Sequence, residues 1–174
     1  MILQRVRTKY RWPPMQLNFW LFIFLVASST VLGITANFLS IQDQMHLGVP
    51  WYFPYWVTVG SLSVFFVIVM LYLISKRQLL PGIVILGSFI LFVLWMVGLI
   101  VFSVQLWGTG GVNAMCNLYV NNDAQSSADQ ATLAWLEQRS ICQSWQAAWS
   151  FELIGCIFLL WMIIMAYQVY KDDE

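Results

Sequence analysis

Three stretches of this chain, Leu17–Leu39, Tyr55–Ser75 and Ile83–Trp107, run for about 21–25 residues without one charged side chain. A fourth, Trp145–Tyr167, does the same with Glu152 as its only exception. An α-helix rises about 1.5 Å per residue, so about 20 apolar residues cross the roughly 30 Å of hydrocarbon in a bilayer. Lipid offers no partner to free backbone groups, which leaves helices as the form such runs take there. The expected fold is therefore all-α: a single domain over residues 1–174, built as a four-transmembrane-helix bundle with spans near 17–39, 55–75, 83–107 and 145–167.

Composition agrees with lipid as the solvent. Of the 174 residues, 60% are hydrophobic and only 9% charged, against about a quarter charged in a soluble domain. The net charge of zero gives no general attraction to phosphate backbones, so no nucleic-acid partner is expected.

Orientation follows from the basic residues, which favour the cytoplasmic side. Arg5, Arg7, Lys9 and Arg11 precede the first span, Lys76 and Arg77 lie in the short turn between spans two and three, and Lys171 follows span four. Only Arg139 falls on the other side. Both termini are thus expected in the cytoplasm. A signal peptide also places basic residues before an apolar run, but its core is about 7–15 residues long. The run from Leu17 is longer and is expected to stay as a signal anchor. The aromatic residues suggest interfacial belts. Trp51, Tyr52, Tyr55, Trp56, Trp107, Trp145 and Trp149 fall at the outer ends of the spans, and Tyr10, Trp12, Tyr72, Tyr167 and Tyr170 at the inner ends.

Two segments then face outward. The first, Ser40–Pro54, is short; the second, residues 108–144, is the main polar stretch and begins with the flexible run Gly108-Thr109-Gly110-Gly111. Cys116 and Cys142 both lie in it. On the oxidising side of a membrane such a pair is expected to form a disulfide, with two free thiols as the alternative. Closing a loop of about 27 residues would contribute roughly 2–4 kcal/mol. Between the cysteines, Asn121–Gln125 reads as a turn. Ser126 or Ser127 can cap a helix beginning near Ala128, with Asp129 in its first turn. Leu133, Trp135, Leu136 and Ile141 give that helix an apolar side, and no Pro or Gly interrupts it before Gly155.

Helices in lipid associate through close packing and a few polar contacts, because lipid tails are as apolar as leucine. Each span carries a small or polar stripe suited to this: Ser29, Gly33, Ala36, Asn37 and Ser40 in the first; Thr58, Gly60, Ser61 and Ser63 in the second. The third has Gly87, Ser88 and Gly98, and the fourth has Ser144, Ala148, Glu152 and Cys156 at four-residue steps. These stripes are expected to face one another, or else to face a partner protein. An intramembrane acid is costly and is first treated as functional. Glu152 is either a proton or cation site, or a hydrogen-bonded tie to Ser61, Thr58, Asn37 or Gln105 at similar depth. The tie is favoured because no second ionisable group lies within the spans to form a relay.

Catalytic patterns are missing. The chain has one histidine, His46, no CxxC pair, no Ser/His/Asp set and no phosphate-binding glycine loop after a strand. The cytoplasmic segments are too short for a catalytic domain. Neither an enzyme nor a cofactor or metal site is expected.

Four spans with both ends inside and a cysteine pair in the second external loop resemble the MARVEL-type tetraspan membrane proteins. The stretch Cys142-Gln143-Ser144-Trp145-Gln146-Ala147-Ala148-Trp149 looks like the fungal members in particular. Tetraspanins carry a Cys-Cys-Gly motif and claudins a cysteine pair in the first loop; both features are missing here. The resemblance implies plasma-membrane organisation, membrane apposition or vesicle trafficking without enzymatic activity. The expected function is a membrane scaffold or accessory subunit that packs in the lipid against a larger membrane protein or against itself. The alternative is a small ion- or proton-coupled transporter or oligomeric channel using Glu152. The orientation is open to a direct check: tags at both termini should resist protease in sealed, right-side-out vesicles and be cleaved after permeabilisation. Cleavage before permeabilisation would reverse the assignment.

Overall fold

The computed structural model describes residues 12, 14–44, 46, 48–76, 79–118 and 130–171, with the side chains of 14 and 130–136 excepted. Among these residues there are five helices: α1 (Pro14–Gln44), α2 (Tyr52–Ser75), α3 (Pro81–Trp107), the short α4 (Val112–Cys116) and α5 (Gln130–Lys171). No strand occurs among the described residues. Four helices are long and apolar enough to cross a membrane. The chain is an integral membrane protein of the all-helical class, and each expected span lies inside one of α1, α2, α3 and α5.

Local chemistry sets several boundaries. Pro81 opens α3, where its missing N–H belongs to a helix end that has no internal acceptor anyway. The chain leaves α3 through Gly108 and Gly110, the latter at φ 77°, a left-handed conformation that glycine adopts without a Cβ clash. Beyond α1, the His46 amide donates to the Asp43 carbonyl at 3.1 Å and His46 itself stands at φ 52°. The expected helix near Ala128 is described from Gln130 and continues unbroken into the fourth span. At 42 residues, α5 is roughly 63 Å long, about twice the thickness of a bilayer core. The turn at 121–125, the caps at Ser126 and Ser127, Asp129 and the apolar side chains of 133–136 lie outside the described residues, as do Arg5, Arg7, Lys9, Arg11 and Arg77.

The four long helices form a ring in which α1 packs on α2 and α5, and α3 packs closely on α5 and more lightly on α2. Large aromatic side chains span its diagonals. Phe24 of α1 reaches Trp95 of α3 with ring centroids 5.2 Å apart, and Trp56 of α2 reaches Trp145 of α5 at 6.0 Å. Cys116 and Cys142 are joined by a disulfide, which fastens α4 to the N-terminal third of α5.

The face of α1 turned into the ring consists of Leu17, Leu21, Phe24, Ala27, Ser28, Val31, Thr35 and Phe38. Here the expectation is corrected. Ser29, Gly33, Ala36, Asn37 and Ser40 are exposed on the outer surface of the bundle, and so are Thr58 and Ser61 of α2. A hydroxyl satisfied by its own helix does not dictate which way its face turns: Ser61 Oγ donates to the Val57 carbonyl at 2.7 Å and Thr58 Oγ1 to the Pro54 carbonyl at 2.8 Å on the outside, just as the buried Ser28 and Thr35 donate to Phe24 and Val31 at 2.8 Å.

A tight fit lies between α3 and α5, where a Cβ added to Gly155 would collide with the Trp95 ring. Gly155→Ala should therefore lower stability by about 1–3 kcal/mol. Gly33, where an added methyl would meet nothing within 4 Å, should accept alanine and gain up to about 1 kcal/mol of helix propensity. Thermal unfolding of the purified variants reads both. Equal behaviour of the two would contradict the packing described.

Candidate functional site

The buried polar centre of the bundle is assembled by three helices. The turns of α5 carry Ala148, Glu152 and Cys156 inward, with Ser144 half-buried at the outer end of the same row. Glu152 is only 1% exposed. Opposite it on α3 stands Gly98, also buried. A Cβ at Gly98 would run into Glu152 Oε1 and come within 3.2 Å of Trp56 Nε1. The missing side chain of Gly98 is thus the space into which the carboxyl group fits, and the Trp56 indole N–H borders the same space. Among the described residues that N–H has no hydrogen-bond partner, although Trp56 is 1% exposed. Beside it, the Tyr55 hydroxyl donates to the Leu94 carbonyl at 2.8 Å, one turn of α3 before Gly98.

Two aromatic layers enclose this centre. Toward the disulfide end, Trp56 stacks on Phe102 at 3.7 Å and 15°. Trp145 meets both edge-on and stacks against Phe38 of α1 at 5.5 Å. Phe53 packs against Phe38, Trp56 and Trp145, so every long helix contributes to the layer. Toward the opposite end, Trp95 lies between Phe24 and Gly155. Its indole N–H donates to Ser63 Oγ at 2.8 Å, and that hydroxyl donates in turn to the Val59 carbonyl. Nearer the bundle perimeter, Trp149 Nε1 donates to Ser103 Oγ at 3.0 Å, a further tie between α5 and α3.

Three of the four residues expected to tie the acid lie away from it, and its described neighbours are Gly98 and Trp56. Ser61, Thr58 and Asn37 are exposed on the outside, while Gln105 is half-buried on α3. Trp56 and Gly98 take their place. Trp56 had the sequence signature of an interfacial anchor, as did Trp145, which is 7% exposed. Trp51 and Trp107, at 67% and 53% exposed, have the accessibility an anchor requires. Gly98 was legible as a small residue on the packing face of span three; its specific pairing with Glu152 was not, because the relative rotation of α3 and α5 is a tertiary property. Cys156 is a buried free thiol.

A cavity of about 330 Å³ opens between α4 and α5 next to the disulfide, with Val112, Met115, Ile141 and Trp145 among its walls. Trp145 belongs both to this wall and to the outer aromatic layer, which separates the cavity from Glu152. No group of three or more metal-ligating side chains occurs among the described residues. No family model, curated protein or solved structure matches the chain.

Chemically, the centre offers one carboxyl group and one indole donor in a buried, aromatic setting. Such an arrangement fixes the rotation of three helices against one another, since a buried polar group left without its setting costs about 1–3 kcal/mol or more. The pairing can be measured. Gly98→Ala should destabilise the protein by about 1–3 kcal/mol, and Glu152→Ala combined with it should recover part of that loss. A coupling energy of about 0.5–3 kcal/mol is expected from the double-mutant cycle. Strict additivity would show that the two residues do not share the space.

Proposed function

We propose that this protein is a non-enzymatic membrane scaffold or accessory subunit, which packs through the outer face of α1 against a larger membrane protein or a second copy of itself. The observation that carries this reading is the orientation of the small and polar stripe of α1. Ser29, Gly33, Ala36, Asn37 and Ser40 point away from the bundle that contains them. Around Gly33 a Cβ would meet nothing within 4 Å. Small residues let helix backbones approach closely in lipid, where no hydrophobic force draws apolar surfaces together. The direction of the stripe supports an intermolecular role over an intramolecular one.

The enclosed setting of Glu152 favours the same conclusion over a transporter or channel. Phe38, Phe53, Trp56, Phe102 and Trp145 on one side and Phe24 and Trp95 on the other give the acid aromatic neighbours in place of a polar path. The resemblance to MARVEL-type proteins supports residence in the plasma membrane, and the distribution of basic residues supports cytoplasmic termini.

Mild extraction followed by measurement of assembly mass and composition tests the proposal. The native protein should emerge with a partner at fixed stoichiometry or as a defined oligomer. Gly33→Leu with Asn37→Leu should release it as a single chain while its own thermal unfolding stays unchanged, because both positions are clear of the core. A monomeric native protein, or an assembly indifferent to these substitutions, would refute the proposal.

A further inference from the structure

The cavity beside the disulfide is separate both from the assembly face of α1 and from the setting of Glu152. Its two walls follow from helical spacing. On α5, Gln138, Ile141, Cys142 and Trp145 recur at three- and four-residue steps, so they share one face. On α4, Val112, Met115 and Cys116 do the same. The two faces look at each other because each contains one cysteine of the bridge, whose α-carbons are 6.0 Å apart. With only five residues, α4 roofs the longer face of α5 without sealing it. Met115 and Ile141 are accordingly exposed at the opening. Toward the bundle the cavity is closed by Trp145, whose ring packs on Phe53, Trp56 and Phe102.

The lining sets the chemistry of a ligand. Among the described residues that form it none is charged, and Gln138 is the one polar side chain. An ion entering would give up its hydration with no charge to replace it, so the fitting ligand is neutral. Water takes about 30 Å³ per molecule in the liquid. On that scale the cavity, at about 330 Å³, has room for a molecule of roughly ten non-hydrogen atoms. The Met115 thioether favours contact with an aromatic ring, and the Trp145 indole offers an edge or face to one. Access does not require passage through hydrocarbon. The cavity lies beyond Trp107, the last residue of α3, which is exposed as an interfacial anchor would be. We propose that the α4–α5 cavity is a binding site for a small neutral aromatic molecule, and that the Cys116–Cys142 bridge builds the site by holding its two walls together. The site stands whether or not the α1 face has a partner.

The test uses the full-length protein in lipid nanodiscs, with methionine methyl groups labelled for NMR and the Met115 signal assigned through Met115→Leu. Indole is the probe, and benzoate is its charged counterpart of the same size. Indole should shift the Met115 methyl signal by its ring current, and the shift should saturate. The exposed Met15 should move only in proportion to the indole dissolved in lipid, and the buried Met162 should not move. Benzoate should leave Met115 in place. Ile141→Trp, which fills the opening while keeping the bridge, should weaken the saturable shift about ten-fold or more, with thermal unfolding retained. Reduction of the bridge should weaken it to a similar degree. A Met115 response that follows Met15 without saturating would overturn the proposal, as would equal binding of benzoate. Binding that survives Ile141→Trp would place the ligand elsewhere, and binding indifferent to reduction would remove the bridge from the site.

Discussion

Two glycines that face each other's large neighbours hold this bundle in register. Gly98 of α3 makes room for Glu152 of α5, and Gly155 of α5 makes room for the Trp95 ring of α3. Helices surrounded by lipid gain little from burying apolar surface against one another, so contact geometry and polar ties decide how they meet. A reciprocal pair of indentations supplies that geometry. It fixes both the separation of the two helices and their rotation, because slipping either by one residue would set a side chain against backbone. The remaining packing follows: α1 closes the ring through α2 and α5, and α2 reaches α3 through hydrogen bonds from Tyr55 to Leu94 and from Trp95 to Ser63.

The aromatic layers convert this register into a solid interior. Aromatic pairs prefer tilted and edge-on contacts, each worth about 0.5–1.5 kcal/mol beyond the area they bury. The Phe38–Phe53–Trp56–Phe102–Trp145 group contains several such contacts and draws on all four long helices. Its members come from widely separated parts of the chain, so the layer completes only once every helix is in place.

The sequence makes the membrane class, the number of spans and the cysteine pairing legible, because each depends on run length or on the chemistry of a compartment. It does not show which face of a span turns inward. In water an apolar stripe marks the core, but here Phe24 in the core and Phe22 on the outside are equally apolar. Small residues are the substitute signal, and they mislead on α1, where Gly33 and Asn37 face out, while guiding correctly on α5, where Ala148, Glu152 and Cys156 face in. Tryptophan near a span end is ambiguous in the same way. Trp51 and Trp56 are five residues apart, yet one is largely exposed and the other is sealed.

The continuity of α5 has a mechanical consequence. A helix that passes without a break from Gln130 to Lys171 behaves as a stiff rod. The disulfide grips this rod within its N-terminal third, and Gly155, the one point where it would flex most easily, is wedged by the Trp95 ring. A tilt imposed on that end, for instance by something pulling on α4, turns the rod about the Glu152–Gly98 and Gly155–Trp95 contacts as a fulcrum. Lys171 then swings the opposite way. Force on one side of the membrane is delivered to the other as displacement, with no soft joint between them to absorb it.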